Sequence, residues 1–368
     1  MNYCLQSPGK YLQGAALLRD LYPHLSVLGH HALFLISPSG LMRHQEDILC
    51  SLKNSDVFVQ FEPFQAECCA EEIQRLTTLV QRDRFDLIVG VGGGKILDTA
   101  KAVGYYANLP IAIIPTVAST DAPCSALSVL YQKDGTFDRY LFLQKSPELV
   151  LVDTAVIANA PAKFLAAGMG DALSTYFEAR AVRRSGADNQ LGSKPTEAAF
   201  ALASRCYALL LEYGPAALAS AKRHEVSQAL ERIVEANIYL SGVGFESGGL
   251  AAAHALQKGL TLLPALHDKT HGEKVAFSTL VQLCLENAPE EELKTVIHFC
   301  RSVGLPVCFD DLGLSHLTRN QWLEVARFTC RPGMTIHHLP FPVTPEQLVD
   351  AIQQADHLGR TLSGVENA

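Results

Sequence analysis

Apolar and polar positions change their period once along this chain. Up to about residue 155, short apolar runs alternate with amphipathic stretches. The segments Ala32–Ile36, Val57–Phe61, Leu87–Val91, Ile111–Ile114 and Leu149–Val152 have the length and apolar character of buried strands. Glu71–Arg82 and Lys95–Ala107 repeat at the helical period. Strand and helix in alternation predict parallel pairing in an α/β layer structure. From Ser128 to Leu143, SVLYQKDGTFDRYLFL alternates about a Lys-Asp-Gly turn and predicts a hairpin added to that sheet.

Beyond Pro161 the texture becomes helical. Glu197–Leu211, Glu225–Leu240 and Glu290–Val303 are long Ala/Leu-rich stretches at helical spacing, and no convincing strand follows. The pattern predicts two domains, an α/β domain over 1–160 and an all-α domain over 161–368, with Pro161 as a first-turn residue at the join. The glycine-rich GVGFESGG at 242–249 predicts close helix packing ahead of a hinge.

Composition narrows the function. Of 368 residues, 48% are hydrophobic and 18% charged, with a formal net charge of -8. That balance describes a well-buried globule and argues against nucleic acid or an anionic membrane as partner. The 10 cysteines include one adjacent pair, Cys68-Cys69, and no C-x-x-C, so they predict reduced packing thiols. No stretch has the length of a membrane span, and the N-terminus lacks a signal-peptide core; a cytoplasmic enzyme acting on a small molecule is the expectation.

Three regions carry candidate chemistry. GVGGGKILDTAK at 90–101 sits between the strand Leu87–Val91 and a helix. It fits neither a Walker loop, which needs glycine where Val89 stands, nor the common dinucleotide fingerprint, which needs glycine where Lys95 stands. Gly92, Gly93 and Gly94 nonetheless let a ligand approach the backbone, and the helix start offers N–H groups and a positive dipole end to an anion. Asp98 could complement that dipole or hold the loop through N–H bonds. The loop PTVASTDAPCSALS leaves the next strand at its carboxyl end, where open α/β sheets bind ligands; Thr116, Ser119, Asp121 and Ser125 could face that crevice or simply decorate an irregular loop.

The third region is spread over the helical half. Asp171 follows Gly170 and reads most simply as an N-cap. His254, in GGLAAAHALQKGL, reads as a core histidine, and His271, in THGEKVAF, as a cap or surface residue. Taken together, one carboxylate and two imidazoles also suit catalytic zinc or iron(II).

Longer stretches resemble a known family. QSPGKYLQGA, GVGGGKILDTAKA, IPTVASTDAPCSALSVLY, LAAGMGDALSTYFEARA, LSGVGFESGGLAAAHA and HGEKVAF resemble the glycerol dehydrogenases of the iron-containing alcohol dehydrogenase superfamily. The resemblance implies a Rossmann-like N-terminal domain and an all-helical C-terminal domain, the dehydroquinate synthase-like arrangement, in a homo-oligomer, often an octamer. It implies NAD, with Gly93, Gly94 and Lys95 at the pyrophosphate and Thr116, Ser119, Ser125, Leu127 and Tyr131 along the dinucleotide and nicotinamide. It implies Asp121 at a polyol substrate and Asp171, His254 and His271 as ligands of zinc, ahead of iron. The implied reaction is metal-assisted oxidation of glycerol or a related vicinal diol, with hydride transfer to the nicotinamide.

Two positions depart from the family pattern. Ser37, in LFLISPSG, stands where relatives place an aspartate that grips the adenosine ribose, which bears on the choice between NAD and NADP. Gln257 and Lys258 replace the family's His-Asn after the first histidine, which touches the surroundings of the metal. Two rivals follow: a sister activity on phosphorylated glycerol, to which Lys258 and Lys274 would lend charge, and a non-catalytic nucleotide-binding protein.

Overall fold

The computed structural model describes residues 2–64 and 66–362. The apolar runs form a six-stranded, wholly parallel sheet from β1 (Lys10–Gly14), β2 (His31–Ile36), β3 (Phe58–Pro63), β4 (Leu87–Gly92), β5 (Ile111–Pro115) and β8 (Leu149–Asp153), in the order β1-β8-β5-β4-β2-β3. Its centre is apolar on both faces, as parallel sheets covered by helices are. Phe34, Ile36, Val89, Val91, Ala112 and Leu151 belong to one buried cluster on it. The helix Ala70–Asp83 buries Ile73, Leu76, Thr77 and Val80, one helical stripe, close to the expected span.

The chain runs outward from β2 to β3 and then returns to place β4 on the other side of β2. Neighbouring strands therefore send their connections in opposite directions at β2 and β4, which opens a crevice beyond their carboxyl ends. Ser37 and the glycines 92–94 both lie there.

Two expectations about strands need correction. The hairpin β6 (Leu127–Tyr131) and β7 (Phe137–Phe142) is a separate two-stranded sheet. It packs on the helix Gly94–Ala107, where the Asp98 carboxylate accepts from Val129 N at 3.1 Å and the Ser128 hydroxyl donates to Asp98 O at 2.9 Å. The sheet edge next to β8 is taken instead by β1, a short KYLQG run too weakly alternating to stand out as a strand.

Two compact units result. One comprises Gln6–Pro161 and Ser220–Gly242, and the other the described residues of Met1–Leu5, Ala162–Ala219 and Val243–Ala368. Two departures from the expected division are residues 2–5, which join the helical unit, and Ser220–Gly242, helical in texture yet part of the α/β unit. Polar side chains explain the second: Glu231 accepts from Gln13 at 2.5 Å and from Thr154 at 2.6 Å, and Asn237 donates to Ala118 O at 3.1 Å. In the other unit the helix Ala162–Ser185 is buried along most of its length. It packs on the helix His271–Leu285, which is fastened at its start by a capping box between Thr270 and Glu273. Among the described residues no helix is long and apolar enough to cross a membrane.

Candidate functional site

In the α/β unit, the glycines of GVGGG divide their roles. A Cβ on Gly90 would lie 2.7 Å from the Ala100 Cβ, so this position admits the helix Gly94–Ala107 against β4. Gly92, the last residue of β4, has a positive φ of 157°. Gly93 is the N-cap and supplies no side chain to the first turn, and the space beside Gly94 is open. Uncapped first-turn amides at the carboxyl end of a central strand are what an anionic ligand such as a pyrophosphate requires.

The other candidates divide by what their side chains already do. Lys95 is exposed, and its ammonium pairs with the Glu67 carboxylate. Asp98 is turned inward: besides Val129 N it takes the Lys101 ammonium at 2.9 Å, so its carboxylate fastens the hairpin. Ser125 is buried with its hydroxyl donating to Ala122 O at 3.2 Å. Thr116, Ser119, Leu127 and Tyr131 are half-buried. Ser37 caps the helix Pro38–Ser51, accepting from Gly40 N at 3.0 Å.

Asp121 lies in the same unit and is buried, and its carboxylate accepts from the Ser241 hydroxyl at 2.8 Å. Ser241 directly follows a π-helical turn, Ala236–Leu240, that aims Asn237 and Ser241 at the loop 118–121. Such turns recur at functional positions. Sequence reasoning missed Ser241, Asn237 and the fully buried Lys101, whose ammonium also reaches the carbonyls of Ala122 at 2.9 Å, Ser125 and Leu127. The spacing of Lys101 from Asp98, one helical turn, was the one available signal.

In the helical unit, Asp171, His254 and His271 come together, each offering a ligand atom within 4.8 Å of the others. Asp171 Oδ1 is 3.1 Å from His271 Nε2 and 3.5 Å from His254 Nε2. Ligands about 2.1 Å from a tetrahedral cation stand about 3.4 Å apart, so the donor set fits a divalent cation. Asp171 is not the N-cap that its local sequence suggests. It lies inside the helix Ala162–Ser185, fully buried, because the helix begins nine residues earlier than Asp171 at Ala162. Glycines create the meeting point: a Cβ on Gly272 would lie 1.7 Å from Ala167 O and one on Gly170 2.5 Å from Gly272 O, so the two helices cross with backbones in contact.

Neighbouring groups shift the protonation of Asp171 and His254. Burial pushes the Asp171 carboxyl up, but the two imidazoles outweigh it and hold the group well below the usual range. Burial likewise disfavours a charged His254, and Glu178 with Asp171 overcomes it, so the ring is held well above its ordinary value. Glu178, two turns along the same helix from Asp171, was also missed by sequence reasoning. It is fully buried and lies 2.6 Å from His254 Nδ1. Gln257 is buried and Lys258 half-buried. Lys274 turns its ammonium to Lys269 O at 3.1 Å and Leu266 O at 3.4 Å, and burial lowers its pKa.

Residues 8–154 match the family model for iron-containing alcohol dehydrogenases. The chain is 49% identical over 360 residues to a glycerol dehydrogenase of Escherichia coli O6:H1, covering 98% of each. Its structure is similar to that of a probable glycerol dehydrogenase from Sinorhizobium meliloti 1021, with a TM-score of 0.92 at 42% identity, covering 98% of this chain and 100% of the other. It is also similar to the glycerol dehydrogenase of Schizosaccharomyces pombe, with a TM-score of 0.95 at 36% identity, covering 100% and 94%.

Proposed function

The chain belongs to the glycerol dehydrogenase family of iron-containing alcohol dehydrogenases, and on that premise we propose that it oxidises glycerol to dihydroxyacetone with NAD as hydride acceptor. The observation that carries the proposal is the convergence of Asp171, His254 and His271 on a point where a cation belongs. These three residues would hold a divalent metal, zinc ahead of iron. A cation there supplies Lewis acidity that makes a hydroxyl proton easier to lose. The nicotinamide, when bound, accepts the hydride.

The remaining work falls to the chain's own groups. Asp121 accepts a hydrogen bond from a polyol hydroxyl and so orients the substrate, with Ser241 fixing the carboxylate that does it. Gly93, Gly94 and the amides behind them take the pyrophosphate, and Lys95 exchanges Glu67 for a phosphate oxygen. Thr116, Ser119, Leu127 and Tyr131 line the rest of the dinucleotide. Of the two lysines that would lend charge to a phosphorylated substrate, Lys274 is committed to two backbone carbonyls, which favours the unphosphorylated polyol.

Treatment with a chelator should abolish NAD-dependent glycerol oxidation, and added zinc should restore it. Asp171→Ala should lose metal and turnover yet keep its affinity for NAD. Turnover that survives complete metal removal refutes the proposal, as does a faster rate on glycerol phosphate than on glycerol.

A further inference from the structure

We propose that Glu178 is the positioning residue that locks His254 in the Nδ1-protonated tautomer and thereby presents Nε2 to the cation, an inference that rests on the metal reading above. The helix Ala252–Leu260 carries His254 in its first turn, and its N-cap, Ala251, has no side chain able to cap it. Two side chains from other helices take over. Glu178 Oε1 accepts from Ala251 N at 2.8 Å and His254 N at 3.0 Å, and Gln282 Oε1 accepts from Ala252 N at 3.1 Å and Ala253 N at 3.0 Å.

The contrast between these two caps isolates the function of the charge. Both are buried, and both accept two backbone N–H groups through one oxygen. Gln282 caps amides alone, and an uncharged amide suffices; its nitrogen donates to Glu286 at 2.8 Å. Glu178 has a second task, because its Oε2 lies 2.6 Å from His254 Nδ1. A carboxylate can only accept, so Nδ1 carries the proton, and Nε2 is the ring nitrogen left to give its lone pair to a cation. An ionised group buried this deeply is costly, and a glutamine would cap equally well at lower cost. The tautomer is what a glutamine could not enforce.

Glu178→Gln tests this directly. Its amide oxygen still accepts Ala251 N and His254 N, but its NH2 faces Nδ1 as a donor and favours the wrong tautomer. Zinc affinity, read by competition with a chromophoric chelator, should fall about 10- to 100-fold, the usual effect of losing such a partner. The visible absorption of the cobalt-substituted protein should change with it, while NAD affinity and the far-UV circular dichroism stay as in the wild type. Gln282→Met removes the neighbouring cap without touching the ring and should alter zinc affinity less than threefold. Unchanged zinc affinity in Glu178→Gln overturns the inference, and so do equal losses in both variants, which would mean that the helix has merely loosened. A wild-type protein that binds no zinc would instead refute the metal reading itself.

Discussion

At the residue scale, single side chains hold both halves of the proposed chemistry in shape. Lys101, buried with Asp98 beside it, gathers the carbonyls of Ala122, Ser125 and Leu127 and so ties the loop after β5 to the helix Gly94–Ala107. A buried ammonium persists only where its acceptors and counter-charge are complete, as they are here. Ser37 offers a sharper test, because it caps a helix and stands at the carboxyl end of β2, beside the switch point of the sheet. Aspartate caps as well as serine, so Ser37→Asp should leave stability almost unchanged. Its added negative charge should accept from a ribose hydroxyl and repel a 2′-phosphate, raising the ratio of kcat/KM for NAD over NADP. An unchanged ratio would place the adenosine ribose elsewhere.

At the element scale, helix crossings and caps decide which side chains meet. Asp171 and His271 are neighbours because Gly170 and Gly272 let the helices Ala162–Ser185 and His271–Leu285 touch through their backbones. Gly272→Ala would place a methyl group against the Ala167 carbonyl and force the helices apart. A misplacement of even about 1 Å disrupts such a site. We expect this variant to bind zinc at least about tenfold more weakly, measured as for Glu178→Gln, with NAD affinity retained because the glycine loop lies in the other unit. Elements also set the limits of what could be read in advance. The amphipathic stripe of Ala70–Asp83 and the buried run of β4 are written in their own periods. The π-helical turn Ala236–Leu240 has no such period, and it is what aims Asn237 and Ser241.

At the scale of the whole molecule, the glycine loop and Asp121 belong to the α/β unit, and Asp171, His254 and His271 to the helical unit. A cation that binds only the folded helical unit must stabilise it. At free zinc near 100 times its dissociation constant the gain is about 2.7 kcal/mol. For a unit of this size that raises Tm by about 5–10 °C. Scanning calorimetry should record the rise in the wild type and none in Asp171→Ala; equal shifts in both would mean that zinc binds elsewhere. The alternation of strand and helix, the change to helical texture near Pro161, and the glycine loop were determined by the sequence alone, because each depends on residues within a turn or two of one another. The local reading of Asp171 as a cap and of the 220–242 segment as part of the helical domain used the same kind of signal, and tertiary packing overrode it. Only the folded chain decides that a carboxylate and two imidazoles from separate helices meet, because that depends on how closely two backbones approach at Gly170 and Gly272 and on which buried acid reaches the far side of a ring.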